Sequence, residues 1–203
     1  MNNVVTSFTT STVSERYATQ DELRPFWVCL FSQTGSEIVR LSEELGFEPD
    51  LILTNNFKKE TWHPGLSDMA VSIAKHDTIC TIVENLANYD DESTVVTLHG
   101  YLRILPRSTA VSQEIYNGHP GDIVKWPQLK GKDPQAKAIA MKLDSTGCVI
   151  HRVTPEVDEG DIVRHLAIKI SEDDTEESLI LKLKELSITL WVNILRNRLT
   201  VCV

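Results

Sequence analysis

Phe26-Trp27-Val28-Cys29-Leu30-Phe31 is an unbroken apolar run of strand length, the pattern of a strand buried on both faces of a sheet. It stops at Ser32-Gln33-Thr34-Gly35-Ser36. Ile38, Leu41, Leu45 and Phe47 then recur at helical spacing, which predicts a strand, a small-residue turn and a helix. Residues 50–54 predict a second strand, 55–66 irregular backbone, 67–75 a short helix and 78–83 a further strand. An acidic loop over 88–93 precedes an apolar strand over 94–98 that ends at His99-Gly100. Residues 134–143 predict a helix with Pro134 at its start, where the missing N–H does no harm. Residues 148–153 and 162–170 predict antiparallel strands across a turn at 155–161. A long helix over 171–199 closes the pattern, with Ser171 and Thr175 as candidate caps and acidic residues in the first turn.

Strands alternating with helices predict an α/β fold: an open, mostly parallel twisted sheet with helices on both faces, related to the Rossmann arrangement. The Ser/Thr-rich stretch 1–24 reads as a polar N-terminal extension, and 25–203 as a single domain. The chain's 203 residues suffice for one such core. A net charge of −9 and a pI near 5.1 disfavour nucleic acid and anionic membrane surfaces, which need a cationic face. A local pocket can still oppose the global sign. No apolar run approaches the ~20 residues of a membrane span, and the first 22 residues lack the basic start and apolar stretch of a secretory signal. A cytoplasmic location is therefore expected. Cys29, Cys80, Cys148 and Cys202 are dispersed without a CxxC pair, which predicts thiols rather than disulfides or a metal site.

Ligands of open α/β sheets collect at the carboxyl ends of strands, and three polar clusters fall there. Ser32 to Glu37 joins strand to helix, where backbone N–H groups attract anions and Gly35 allows close approach. Taken alone it reads as well as a plain turn. Tyr116-Asn117-Gly118-His119-Pro120 places an amide and an imidazole on one side of an extended segment. Asn can donate to a developing oxyanion, and His, with an ordinary pKa of ~6.5, can act as acid or base. Alone, it too reads as a structural loop. Thr146 to His151, leading to Glu156 through Asp161, reads as a hairpin with an acidic turn, and His151 as a core histidine.

The order of these segments changes the picture. VVTLHGYLRIL over 95–105, NGHP over 117–120 and TGCVIHRVTPEVDEGDIV over 146–163 together resemble the folate-dependent formyltransferase family. The likeness spans roughly residues 26 to 190. It is nearer to the phosphoribosylglycinamide (glycinamide ribonucleotide) branch than to the methionyl-tRNA branch. The resemblance implies formyl transfer from 10-formyltetrahydrofolate, as co-substrate and without metal, to a primary amine. Glycinamide ribonucleotide, in purine biosynthesis, is the first acceptor it suggests. By position, Asn117, His119 and Asp158 match the catalytic trio. Amine attack on a formyl carbon builds negative charge on oxygen, which an Asn donor and a protonated His can stabilise. A carboxylate beside the His favours its charged form. Leu102, Arg103, Ile104 and Leu105 match the wall of the folate site, with Val153, Glu156 and Val157 opposite. Ser32, Thr34, Gly35, Ser36 and Glu37 match the acceptor's phosphate side. Residues 25–100 would form the acceptor half and 101–203 the folate and catalytic half.

Several positions depart from that pattern. Gly121-Asp122-Ile123-Val124 stands where the family has Ser-Leu-Leu-Pro, and Glu37 where the ribonucleotide branch has Asn. A carboxylate at 37 would repel a phosphate unless its side chain turns away. The loop from Trp126 to Gln135 adds Lys130 and Lys132. No tRNA-holding C-terminal domain is expected, and with the acidic charge this argues against tRNA. These departures keep other acceptors open, such as an amino-sugar nucleotide, together with hydrolysis of the formyl-folate and an inactive folate-binding module.

Overall fold

In the computed structural model, which describes residues 24–87 and 94–199, β1 (Phe26–Phe31) is paired in parallel on both edges. β2 (Leu51–Thr54) lies on one side and β4 (Thr94–Leu98) on the other. With β3 (Val71–Ile73), β5 (Ile115–His119), β6 (Ser145–Arg152) and β7 (Ile162–Lys169) they form a seven-stranded sheet of order β3-β2-β1-β4-β5-β6-β7. β1 to β5 run parallel, while β6 and β7 are antiparallel to their neighbours. The expected open, mostly parallel sheet is thus found. The sequence order reverses between β1 and β4, and the crevice outside their carboxyl ends is where such sheets bind ligands.

Side chains alternate across the sheet, so neighbouring residues of β1 feed opposite cores. Trp27, Cys29 and Phe31 join Ile52, Tyr116, Cys148 and Ile150 beneath α1 (Ser36–Leu45) and α5 (Glu176–Leu199). Val28 and Leu30 join Leu53, Val96, Leu98 and Ile115 beneath α2 (His76–Leu86) and α3 (Arg107–Ser112). A smaller cluster of Ile123, Leu129, Ala138, Val149 and Leu179 lies under α4 (Pro134–Ala140). Arg24 grips Asp50 through two nitrogens, both at 2.8 Å, and Asp50 also accepts the Trp27 N–H, so the start of β1 is tied to the start of β2.

Three local expectations need correction, and one element is new. Residues 67–75 contain no helix. Val71–Ile73 instead forms the edge strand β3, because pairing with β2 outweighs the helix preference of Met69 and Ala70. The expected strand at 78–83 lies within α2, where Ile79, Cys80 and Val83 share one buried face at helical spacing despite their β-branched neighbours. The closing helix begins at Glu176, capped by Thr175, whose hydroxyl accepts the Ser178 N–H. Ser171 lies before it, donating its own N–H to Asp174. The segment 107–112, unassigned from sequence, is α3. The stretch 1–23, the acidic loop 88–93 and Cys202 lie outside the described residues.

Gly118 shows how closely helix and sheet meet. Trp191 of α5 is fully buried over it, and a Cβ at 118 would stand 2.8 Å from the indole Nε1. Gly118→Ala is therefore expected to cost about 1–3 kcal/mol through overpacking, measured by urea unfolding. Combining it with Trp191→Phe, which removes the clashing ring edge, should give a loss smaller than the sum of the single variants.

Candidate functional site

Asn117 and His119 are two residues apart on β5 and point to the face opposite Trp191, as period-two alternation requires. β6 brings His151 directly opposite Asn117 in the antiparallel register, and Asn117 Nδ2 lies 3.2 Å from His151 Nε2. Asp158, in the turn after β6, reaches back between the two imidazoles. Its Oδ2 is 3.3 Å from His119 Nδ1, and its Oδ1 is 3.3 Å from His151 Nε2. Asp158 holds a left-handed backbone (φ 55), which Asp tolerates better than most residues.

The remaining ring nitrogens fix the proton positions. A carbonyl only accepts, so His119 Nε2–H donates to the Leu129 carbonyl at 2.9 Å, and His151 Nδ1–H donates to the Arg152 carbonyl at 2.8 Å. The Gly131 N–H donates to Asp158 Oδ2 at 2.8 Å, so the segment around 129–131 touches both members of the His119–Asp158 pair. His119, His151 and Asp158 are buried while Asn117 is half-buried. Burial holds the His119 imidazolium below the usual histidine range, although the Asp158 charge and the Leu129 carbonyl favour it. Burial raises Asp158, but the adjoining His151 and His119 rings and the Gly131 N–H together hold it below the usual carboxylate range. The neutral His119 ring thus uses one nitrogen at Leu129 and presents the other to a carboxylate. It gains an ion pair only when it takes up a proton.

A second polar group occupies the crevice between β1 and β4. Glu37, in the first turn of α1, bonds His99 Nδ1 through Oε2 at 2.7 Å, and its Oε1 accepts the Ser187 hydroxyl of α5 at 2.6 Å. His99 Nε2 lies 2.8 Å from Thr97 Oγ1, which accepts the Trp27 indole N–H at 2.9 Å. The carboxylate therefore turns into the protein, as a phosphate beside it would require. Gly35 opens α1 with a left-handed backbone (φ 69), and Thr34 Oγ1 accepts the Ser36 N–H at 3.3 Å. Ser32 ties three segments together, donating to Asn55 and accepting the Leu102 N–H at 2.9 Å.

Leu102 and Ile104 are each 68% exposed on the loop after β4, and Arg103 is also exposed. Leu105 instead packs in the core with Leu98 and Ala110. Val153 is half-buried, and its N–H donates to Ile115, while Glu156 and Val157 are exposed on the turn leading to Asp158. Asp122, which replaces an apolar residue of the family pattern, is buried. It accepts the Lys125 N–H at 3.1 Å and faces His165 at 3.6 Å. Among the described residues no cluster of His, Cys, Asp and Glu is arranged to hold a metal, and no helix is long and apolar enough to cross a membrane. Sequence reading missed His99 and Ser187 altogether and took His151 for a core residue. Its place opposite Asn117 is a matter of strand register, whereas His99 at the carboxyl end of a buried strand was a signal available from sequence.

Known proteins resemble this chain in sequence and in fold. The formyl transferase family model matches residues 69–195, more than half of the chain and all of the Asn117, His119 and Asp158 positions. The trifunctional purine biosynthetic protein adenosine-3 of Bos taurus is 30% identical over 92 residues, and that of Gallus gallus 32% over 93. These matches cover 44% and 45% of this chain but only 9% of each relative, so the chain spans a small part of their length. The fold matches the crystal structure of phosphoribosylglycinamide formyltransferase from Anaplasma phagocytophilum, with TM-score 0.70, 23% identity and coverage of 87% and 88% of the two chains. It also matches the enzyme of that name from Streptococcus pneumoniae, with TM-score 0.72, 19% identity and coverage of 85% and 98%. The chain belongs to the formyl transferase family.

Proposed function

We propose that the chain transfers a formyl group from 10-formyltetrahydrofolate to a primary amine, with glycinamide ribonucleotide as the first acceptor, in purine biosynthesis. The observation that carries this reading is the convergence of Asn117, His119 and Asp158 at the carboxyl end of β5, within the stretch matched by the family. In this reading the half-buried Asn117 amide donates to the oxygen on which charge develops as the amine attacks. His119, neutral at rest, takes up the proton that the amine loses, directly or through water, and Asp158 stabilises the resulting imidazolium. Burial of the His119 ring, which disfavours its charged form, supports this role of proton acceptor.

The co-substrate supplies the formyl carbon. Leu102 and Ile104, with exposed apolar side chains beside the crevice, fit a wall for its flat ring system. Arg103 and the neighbouring backbone would border it, Val153, Glu156 and Val157 would face it, and Leu105 would act from within the core. Ser32, Thr34, Gly35 and Ser36 would border the acceptor, so 25–100 serves the acceptor and 101–203 the folate and the chemistry. Glu37, still a carboxylate beside the turn, supports an amino-sugar nucleotide as a second acceptor.

Incubation with 10-formyltetrahydrofolate and each amine, read by mass spectrometry, tests the proposal: a formylated amine supports it, whereas formate release without any acceptor at a matching rate points to hydrolysis. Asn117→Ala and Asp158→Asn should each lower kcat/KM by about 10²–10³-fold, with folding checked by circular dichroism.

His119 also has a signature in stability. Its folded pKa lies below the unfolded value of ~6.5, so on acidification the unfolded chain takes up this proton first. Stability should fall as pH drops from about 7 to about 5. His119→Gln, which can still donate to Leu129, should show a shallower fall in the urea midpoint. An equal slope in both proteins would refute the assignment.

A further inference from the structure

Glu37 breaks the family's pattern, and three elements converge to hold it. It stands on the first turn of α1. His99 comes from the end of β4 and Ser187 from α5, so the carboxylate sits in the crevice where the strand order reverses. His99 packs its ring on Trp191 (centroids 4.9 Å apart), and Trp191 lies over Gly118 between the two β5 side chains of the trio. The carboxylate is therefore braced against the strand that carries Asn117 and His119.

Burial pushes the Glu37 carboxyl up, but its bonds to His99 and Ser187 and the field of Lys184 outweigh that and hold it below the usual range. It is an anion at neutral pH. Each carboxylate oxygen has two lone-pair directions, and the internal partners take one apiece. The side chain is 28% exposed, and each oxygen keeps acceptor capacity beyond its one internal bond. A fixed anion with spare lone pairs attracts hydroxyl donors and repels further anions.

We propose that Glu37, clamped by His99 and Ser187, is a specificity-determining residue that accepts hydrogen bonds from the sugar hydroxyls of the acceptor. This rests on reading the chain as a formyltransferase of sugar-linked amines. Any phosphate of the acceptor then lies on the backbone of the Thr34–Ser36 turn, while the carboxylate selects the ring. His99 and Ser187 are positioning residues for it.

Titration calorimetry of ribose 5-phosphate and of its 2-deoxy and 3-deoxy forms tests this with wild type, Glu37→Gln and Glu37→Ala. The near-isosteric Gln variant guards against loss of fold. Wild type should bind ribose 5-phosphate about tenfold or more tightly than at least one deoxy form, the effect of a hydrogen bond to a charged group. Both variants should lose that preference. No measurable binding, no preference in wild type, or a preference unchanged in both variants would overturn the inference. Turnover separates it from the activity itself. Discrimination among sugars without formylation of any amine would leave the Glu37 assignment standing and remove the transferase reading. Formylation of glycinamide ribonucleotide with KM and kcat unchanged in Glu37→Gln would do the reverse.

Discussion

β1 is paired on both edges, and every residue after its first is buried. That double pairing forces the chain to leave the sheet on one side through α1 and β2, and to return on the other through β4. Two loops must then diverge at the carboxyl ends of adjacent strands, and the crevice between them is a by-product of topology. The turn with Gly35 and Glu37, the His99 end of β4 and the Leu102 loop all face that opening. Ser32 closes its floor with bonds to Asn55 and Leu102.

Two histidine–carboxylate pairs flank the opening on opposite faces of the sheet, and they solve different problems. His99 and Glu37 sit at 2.7 Å with a third partner at Ser187, a clamp that holds a charge in place. His119 and Asp158 are 3.3 Å apart, and the ring's other nitrogen is committed to a carbonyl. The looser pair has room for a proton to arrive or leave. Trp191 lies between the systems, touching His99 on one side and Gly118 on the other.

Much of this was legible in the residues. The apolar run from Phe26 to Phe31 could only be a doubly covered strand, and the period-two spacing of Asn117 and His119 placed both on one face. Short segments were harder. Residues 71–73 and 78–83 have similar apolar content, and only their tertiary partners decide that one pairs with β2 while the other coils against the sheet. His151 and His99 acquire meaning from the strand opposite and from a helix 88 residues further on at Ser187, relations that local pattern does not encode. The inward turn of Glu37 is likewise a matter of packing. Sequence supplied the conflict between carboxylate and phosphate, and the fold supplied its resolution.

Asp158 joins two requirements that are seldom met by one side chain. Its backbone is left-handed, a conformation that Gly, Asn and Asp adopt more readily than most residues. Its carboxylate must also lie between two imidazoles. Of the residues that suit the backbone, only Asp carries a charge. The position is therefore chemically over-determined, and most replacements would disturb conformation and electrostatics together. Asn keeps the turn and removes the charge, which makes it the one substitution that separates the shape of this site from its field.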